Sequence, residues 1–173
     1  MNSEEPSDAP PGQGWVTLPV YPGNHFHNGL LEASGRLDGD EPVIGFRVLS
    51  RHCNPRQTCH GGMLMTFCDY VLPTIARLTD PDHDHFTPTI SMNISFLAPA
   101  RVGAWVEGRA KTLRRSANLL FVDGIITADG KPVVHASGIF KRGNPDERRA
   151  GSAAVVGIDV DEDDAPVLDE LEA

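Results

Sequence analysis

From Gly61 to Ala76 the chain reads GGMLMTFCDYVLPTIA, with a single charged residue, Asp69. Met63, Leu64, Phe67, Val71, Ile75 and then Leu78 recur at helical spacing, which predicts one buried helix. Downstream the period changes. In TISMNISFLA the residues Ile90, Met92, Ile94 and Phe96 alternate with Thr89, Ser91, Asn93 and Ser95, which is strand periodicity with one apolar and one polar face. AWVEGRAKTL alternates as well, setting Ala104, Val106 and Ala110 against Glu107, Arg109 and Lys111. Leu119 to Ala128 and Pro132 to Lys141 are separated by Asp129-Gly130, a two-residue hairpin signal. Leu30 to Leu37 and Pro42 to Leu49 flank an Asp-Gly-Asp turn and read as a second hairpin. Two strands, one long helix and then about four antiparallel strands make an α+β arrangement with the helix packed on a sheet.

Both ends differ from this middle. Residues 1–14 are rich in Pro, Gly and acid, and residues 143–173 turn Gly/Ala-rich and then acidic, so both read as flexible extensions of one domain over 15–142. The net charge of −9 comes almost wholly from eight acids in the last fifteen residues, a block with no Lys or Arg that reads as a solvated tail. No basic stripe with interleaved aromatics is present, which disfavours nucleic acid as a partner. No stretch approaches the roughly 20 apolar residues that span a bilayer, and the N-terminus lacks the layout of a signal peptide, so a cytoplasmic location is expected. In that compartment the three cysteines, Cys53, Cys59 and Cys68, read as free thiols or small core residues, not as disulfides.

Projected at 100° per residue, Asp69 points away from the apolar stripe, together with Gly62, Met65, Thr66, Leu72, Pro73 and Ala76. That side is too apolar to be left in water, and a second copy of the chain is the simplest cover. Pro73 removes the amide that would bond to the Asp69 carbonyl. A carboxylate on a face to be buried needs partners or a task. The Gly61-Gly62 start of the helix offers unpaired amides and the positive end of the macrodipole, a natural hole for developing negative charge. Gly62 and Asp69 lie about 10 Å apart along one helix, so they can serve one carbonyl only across a subunit boundary.

The string HCNPRQTCHGGMLMTFCDY, followed by TISMNISFLAPARVG and DGKPVVHASGIFK, resembles the phenylacetate-pathway type of hotdog-fold thioesterase over about residues 42–142. The shared pattern is an Asn six residues before His-Gly-Gly and an Asp nine after that His. The resemblance implies a hotdog fold, one central helix on a curved antiparallel sheet of five to six strands, assembled as a homodimer and then a dimer of dimers. It implies hydrolysis of an acyl-coenzyme A thioester with no separate cofactor, coenzyme A being part of the substrate. It places the general base or nucleophile at Asp69, the groups that polarise the carbonyl at Asn54 and at Gly61 with Gly62 beside it, and the residue that positions water at Thr89. Gln57 departs from the pattern, which often has Gly there.

Each of these residues has a plainer reading. Asp69 could bond a neighbouring backbone group, Asn54 could cap the turn at Pro55, and Thr89 could be one hydroxyl among several on a polar strand face. His60 is tempting as a base, but before a helix start it more often fixes a loop. Arg101, Arg114 and Arg115 lie at strand ends where coenzyme phosphates could be met, or are ordinary solvated charges. Met65, Tyr70 and Leu72 are the candidates for an acyl pocket at the dimer seam. His52, Cys53, Cys59 and His60 are of zinc-binding type but poorly spaced for it, and no metal is expected. His83-Asp84-His85 reads as a solvated loop. Two other functions compete. A hotdog-fold dehydratase resembles a helix carrying a His with an Asp, and no His follows Gly62 in this helix. A coenzyme-thioester sensor without turnover keeps the fold but has no need of both Asp69 and Asn54.

Overall fold

The computed structural model describes residues 7–18, 26, 30–80 and 87–142. The expectations for residues 1–6, for the loop at His83-Asp84-His85 and for the tail at 143–173 lie outside the described residues.

Among the described residues seven strands form one antiparallel sheet: β1 (Val16–Thr17), β2 (Ser34–Asp38), β3 (Glu41–Arg47), β4 (Thr89–Phe96), β5 (Trp105–Arg115), β6 (Leu119–Ala128) and β7 (Lys131–Lys141). Their order across the sheet is β1-β2-β3-β5-β6-β7-β4. The expected count of five to six is exceeded, partly by the two-residue β1, which alternation cannot reveal at that length. The long helix α1 (Gly61–Leu78) sits between β3 and β4 in sequence and lies on one face of the sheet. Both expected hairpins form. The turn residues Asp129 and Gly130 have φ of 47° and 78°, the left-handed pair that a type I′ turn requires.

Met63, Leu64, Phe67, Val71 and Ile75 are buried against the sheet as their spacing requires. Leu72, Pro73 and Ala76 project to the side opposite the apolar stripe, yet they are buried too, within this single chain. The helix nests so closely that a Cβ on Gly108 of β5 would stand 2.7 Å from Val71 Cγ1, and one on Gly124 of β6 would stand 3.0 Å from Leu72 Cδ1. Glycines in the sheet thus let the second half of the helix sink in, and its buried arc widens past the simple stripe. Leu72 is 0% exposed and is therefore a core residue, not part of a seam with another chain.

Among the described residues strand β4 forms one edge of the sheet and pairs with β7 alone. The apolar side of β4 faces the helix: Met92 and Ile94 pack against the core, while Ile90 and Phe96 remain 56% and 52% exposed. At the other end of the molecule the segment before β1 is tied to the sheet. Arg47 donates to the Ala9 carbonyl at 2.7 Å, and Trp15 packs edge-on against Trp105 with ring centroids 4.9 Å apart. No helix among the described residues is long and apolar enough to cross a membrane.

Candidate functional site

The His-Gly-Gly start of α1 is explained atom by atom. His60 is the N-cap residue, and its Nδ1 accepts from Gly62 N–H at 2.9 Å. The ring sits where a side chain on residue 62 would go, since a Cβ there would be 3.0 Å from Nδ1. Gly61 is crowded from another side, where an added Cβ would be 3.3 Å from the tip of the Phe96 ring. His60 therefore spends its Nδ1 on fixing the helix start. Gly62 N–H is spent with it, whereas Gly61 N–H takes no partner among the described residues.

Two turns along the helix, Asp69 projects from an exposed strip that it shares with Met65, while Thr66 and Tyr70 beside it are half-buried. Thr89 Oγ1 donates to Asp69 Oδ1 at 2.6 Å. Simple alternation would put Thr89 with Ser91, Asn93 and Ser95, on the face turned away from the helix. A β-bulge reverses it. The register runs from Ser91↔Ile139 directly to Thr89↔Phe140, so two steps on β4 match one on β7 and Ile90 is the extra residue. Thr89 is thereby aligned with Phe140, which is 0% exposed on the helix side. Re-aiming one side chain is a recurrent use of bulges near functional sites.

Asn54 lies in the loop before the helix, and its plainer reading is realised. Its Oδ1 accepts from Arg56 N–H at 2.9 Å and its Nδ2 donates to Thr58 Oγ1 at 2.9 Å. The turn it caps carries Gln57 at φ 59°, in the left-handed region that favours glycine. Gly61 and Asp69 are eight residues apart on one helix, about 12 Å. Within one chain the structure thus brings Asp69 to Thr89 and Gly61 to Phe96. It does not bring Asn54 or Gly61 to Asp69.

The three arginines divide. Arg101 and Arg114 are exposed and make no ion pair among the described residues. Arg115 is engaged: its Nε lies 3.0 Å from Asp80 Oδ2, and its Nη2 donates to the Thr79 carbonyl. Arg142 reaches the same carboxylate with Nε and Nη2, each at 3.2 Å. Asp80 is 5% exposed, so this clamp joins the end of the helix to the ends of β5 and β7. It corrects the expectation that Arg115 is available to a phosphate. Sequence gave no sign of the clamp, since its three members are far apart in the chain. Phe96 was also missed as a site residue, although its alternation already turned it toward the helix.

No cluster of three His, Cys, Asp or Glu among the described residues could hold a metal ion. His52 has both ring nitrogens occupied, Nδ1 accepting from Leu49 N–H at 3.0 Å and Nε2 donating to the Leu30 carbonyl at 2.8 Å. Burial pushes the Cys59 thiol up to about 12, with Cys53 nearby adding to the effect.

Residues 56–135 match the family model of the thioesterase superfamily. A Pseudomonas aeruginosa protein named "Putative esterase" is 29% identical over 99 residues, covering 57% of this chain and 72% of its own. Among solved structures, the phenylacetic acid degradation-related protein of Ralstonia eutropha JMP134 superposes with a TM-score of 0.59 at 28% identity, over 69% of this chain and 91% of that one. The PaaI protein of Escherichia coli gives 0.57 at 21% identity, over 68% and 83%. A hypothetical thioesterase of Streptococcus pneumoniae TIGR4, solved with coenzyme A, gives 0.57 at 18% identity, over 65% and 90%.

Proposed function

We propose that this chain, which has the hotdog fold and is a relative of the thioesterase superfamily, hydrolyses an acyl-coenzyme A thioester to a free acid and coenzyme A. The observation that carries the reading is the Thr89–Asp69 bond at 2.6 Å, an exposed carboxylate held on a face that also contains a helix N-terminus with an open amide. A thioester needs little more. Sulfur donates weakly into the carbonyl, so one carboxylate, one water and donors at the oxygen suffice. Asp69 acts as general base toward water or as nucleophile. The hydroxyl of Thr89 fixes which carboxylate oxygen faces the reacting carbon. Gly61 N–H, backed by the helix dipole, polarises the carbonyl, and Asn54 is a second donor if its turn opens toward substrate.

The two halves of this apparatus meet in a homodimer. Helix α1 and edge strand β4 run alongside each other in opposite directions, with Gly61 against Phe96 at one end and Asp69 bonded to Thr89 at the other. Antiparallel pairing of β4 with a second β4, centred between Met92 and Asn93, sets Thr89 opposite the other chain's Phe96. The same two-fold then carries the other chain's Gly61 toward Asp69. The composite site takes the acid from one subunit and the amide from its twin, and the exposed Ile90 and Phe96 gain cover. Arg101 and Arg114 are available for the coenzyme's phosphates. Met65 and Tyr70 border the acyl group.

Purified protein with a panel of acyl-coenzyme A thioesters, read by release of free thiol, tests the proposal. Turnover in the wild type and its loss by several orders of magnitude in Asp69→Asn, with the dimer intact, are expected. Binding without thiol release assigns the chain to the sensors instead, and unchanged turnover in Asp69→Asn removes the carboxylate from the mechanism.

A further inference from the structure

Cys53 and Cys59 stand directly opposite each other in the short antiparallel bridge that closes the loop before α1. The bridge is flanked by Asn54 N–H donating to the Thr58 carbonyl at 2.9 Å and His60 N–H donating to the His52 carbonyl at 2.8 Å. The cysteine pair itself exchanges no backbone bond, and so is the closer kind of antiparallel pair, with Cα atoms about 4.5 Å apart and side chains on one side. That spacing falls within the roughly 4.4–6.8 Å that a disulfide spans. Cys53 is half-buried, its thiol donating to the Leu49 carbonyl at 3.4 Å, and Cys59 is buried at 6%, so Cys53 is the nearer of the two to solvent. All three cysteines are thiols in this structure, and Cys68 is sealed in the core at 0% exposure.

We propose that Cys53 and Cys59 are an oxidative modification site, a dithiol that a peroxide converts to an intrachain disulfide across the loop. In the first step the Cys53 thiolate attacks one peroxide oxygen. The O–O bond breaks, a sulfenic acid forms on Cys53, and the departing hydroxide takes the thiol proton to leave as water. In the second step the Cys59 sulfur attacks the Cys53 sulfur, forming the S–S bond and breaking S–O. The hydroxyl leaves with the Cys59 proton as a second water. Two thiols and one peroxide give one disulfide and two waters. Because burial keeps Cys59 protonated, the second step is the slower one. The staple encloses the turn that contains Asn54 and ends beside His60, so it stiffens the approach to the helix N-terminus without touching Asp69 or Thr89.

The test uses the full chain and hydrogen peroxide, followed by denaturation, iodoacetamide and trypsin. Cleavage after Arg56 separates the two cysteines, so the disulfide holds peptides 52–56 and 57–77 together. The expected result is a loss of two hydrogens per chain, this peptide pair joined, and fragmentation that finds the alkyl group on Cys68. Oxidised protein melts at a higher temperature than reduced protein, and Cys53→Ser, altered at a half-buried position, folds and yields no joined pair. Oxygen added to Cys53 with no link overturns the proposal. A link through Cys68 or between two chains does the same.

Discussion

The Thr89 hydroxyl and the Asp69 carboxylate meet at 2.6 Å, one from the bulged start of an edge strand and the other from the middle of the helix beneath it. The bond leaves Asp69 with its second oxygen free of Thr89, and it orients the carboxylate. Thr89→Val, which keeps the shape and removes the donor, is expected to lower kcat by about tenfold or more while leaving the melting temperature within a degree or two, since both residues are exposed. Thr89→Ser should restore most of the rate. A normal kcat in Thr89→Val would show that the hydroxyl has no part in positioning.

Asn54 has its amide committed to Arg56 and Thr58, so Asn54→Ala must first loosen a turn. That effect alone predicts a stability loss of about 1 kcal/mol and little change in turnover. If Asn54 also reaches the thioester oxygen, kcat/KM falls by a further amount equivalent to about 2.7–4 kcal/mol. Thermal melts and kinetics on the same variant separate the two, and a lower melting temperature with an ordinary rate returns Asn54 to the turn.

Phe96 lies 3.3 Å from the position of a Cβ on Gly61, yet half of it is exposed, so truncating it costs little of the core. Phe96→Ala is expected to reduce kcat/KM for bulky apolar acyl groups by about tenfold relative to acetyl, the scale of one apolar contact in a pocket. The ratio of the two specificity constants is the measurement. Equal loss for both substrates would place the ring outside the acyl channel.

The Asp80 clamp predicts a stability effect with no kinetic one. Its carboxylate has a side chain only 2% exposed between Arg115 and Arg142, so Asp80→Ala removes a buried charge that two guanidiniums share and is expected to destabilise by about 3 kcal/mol, read by denaturant unfolding. Arg115→Ala should cost less, because Arg142 remains. Its KM for acyl-coenzyme A should stay near the wild-type value. A large rise in KM without a change in stability would give Arg115 back to the phosphates.

His52 supplies a pH signature. Burial, with the Arg51 charge adding to it, lowers its folded pKa below the ordinary value of 6.5. Both ring nitrogens are matched to the neutral form, Nε2–H to the Leu30 carbonyl and Nδ1 to Leu49 N–H. A histidine depressed in this way contributes its full stability above about pH 6.5. As pH falls through that value the unfolded chain takes up a proton that the folded chain refuses, and stability drops by at most about 1.4 kcal/mol per pH unit. The unfolding midpoint should therefore fall between about pH 7 and pH 5, and His52→Gln should fall less steeply over the same interval. An identical slope in both would assign the acid sensitivity to other groups.

The local rules were enough for the framework. Apolar spacing gave α1, alternation gave the strands, Asp129-Gly130 gave its turn, and His-Gly-Gly marked the helix start, because each depends on the chain's own period or on backbone angles only certain residues adopt. The site was legible as residue types: an acid alone in an apolar helix, glycines at its N-terminus. What alternation got wrong is instructive. A strict period of two assigns Thr89 to the far face, and a helical projection assigns Leu72 to the outer side. Only the pairing of β4 with β7, which accommodates Ile90 as an extra residue, turns Thr89 toward Asp69. Only the glycines at 108 and 124 in neighbouring strands let Leu72 sink from view. A bulge and a close approach are properties of two segments in contact, so they are decided by packing between elements that the chain separates, and a one-dimensional pattern carries no record of them.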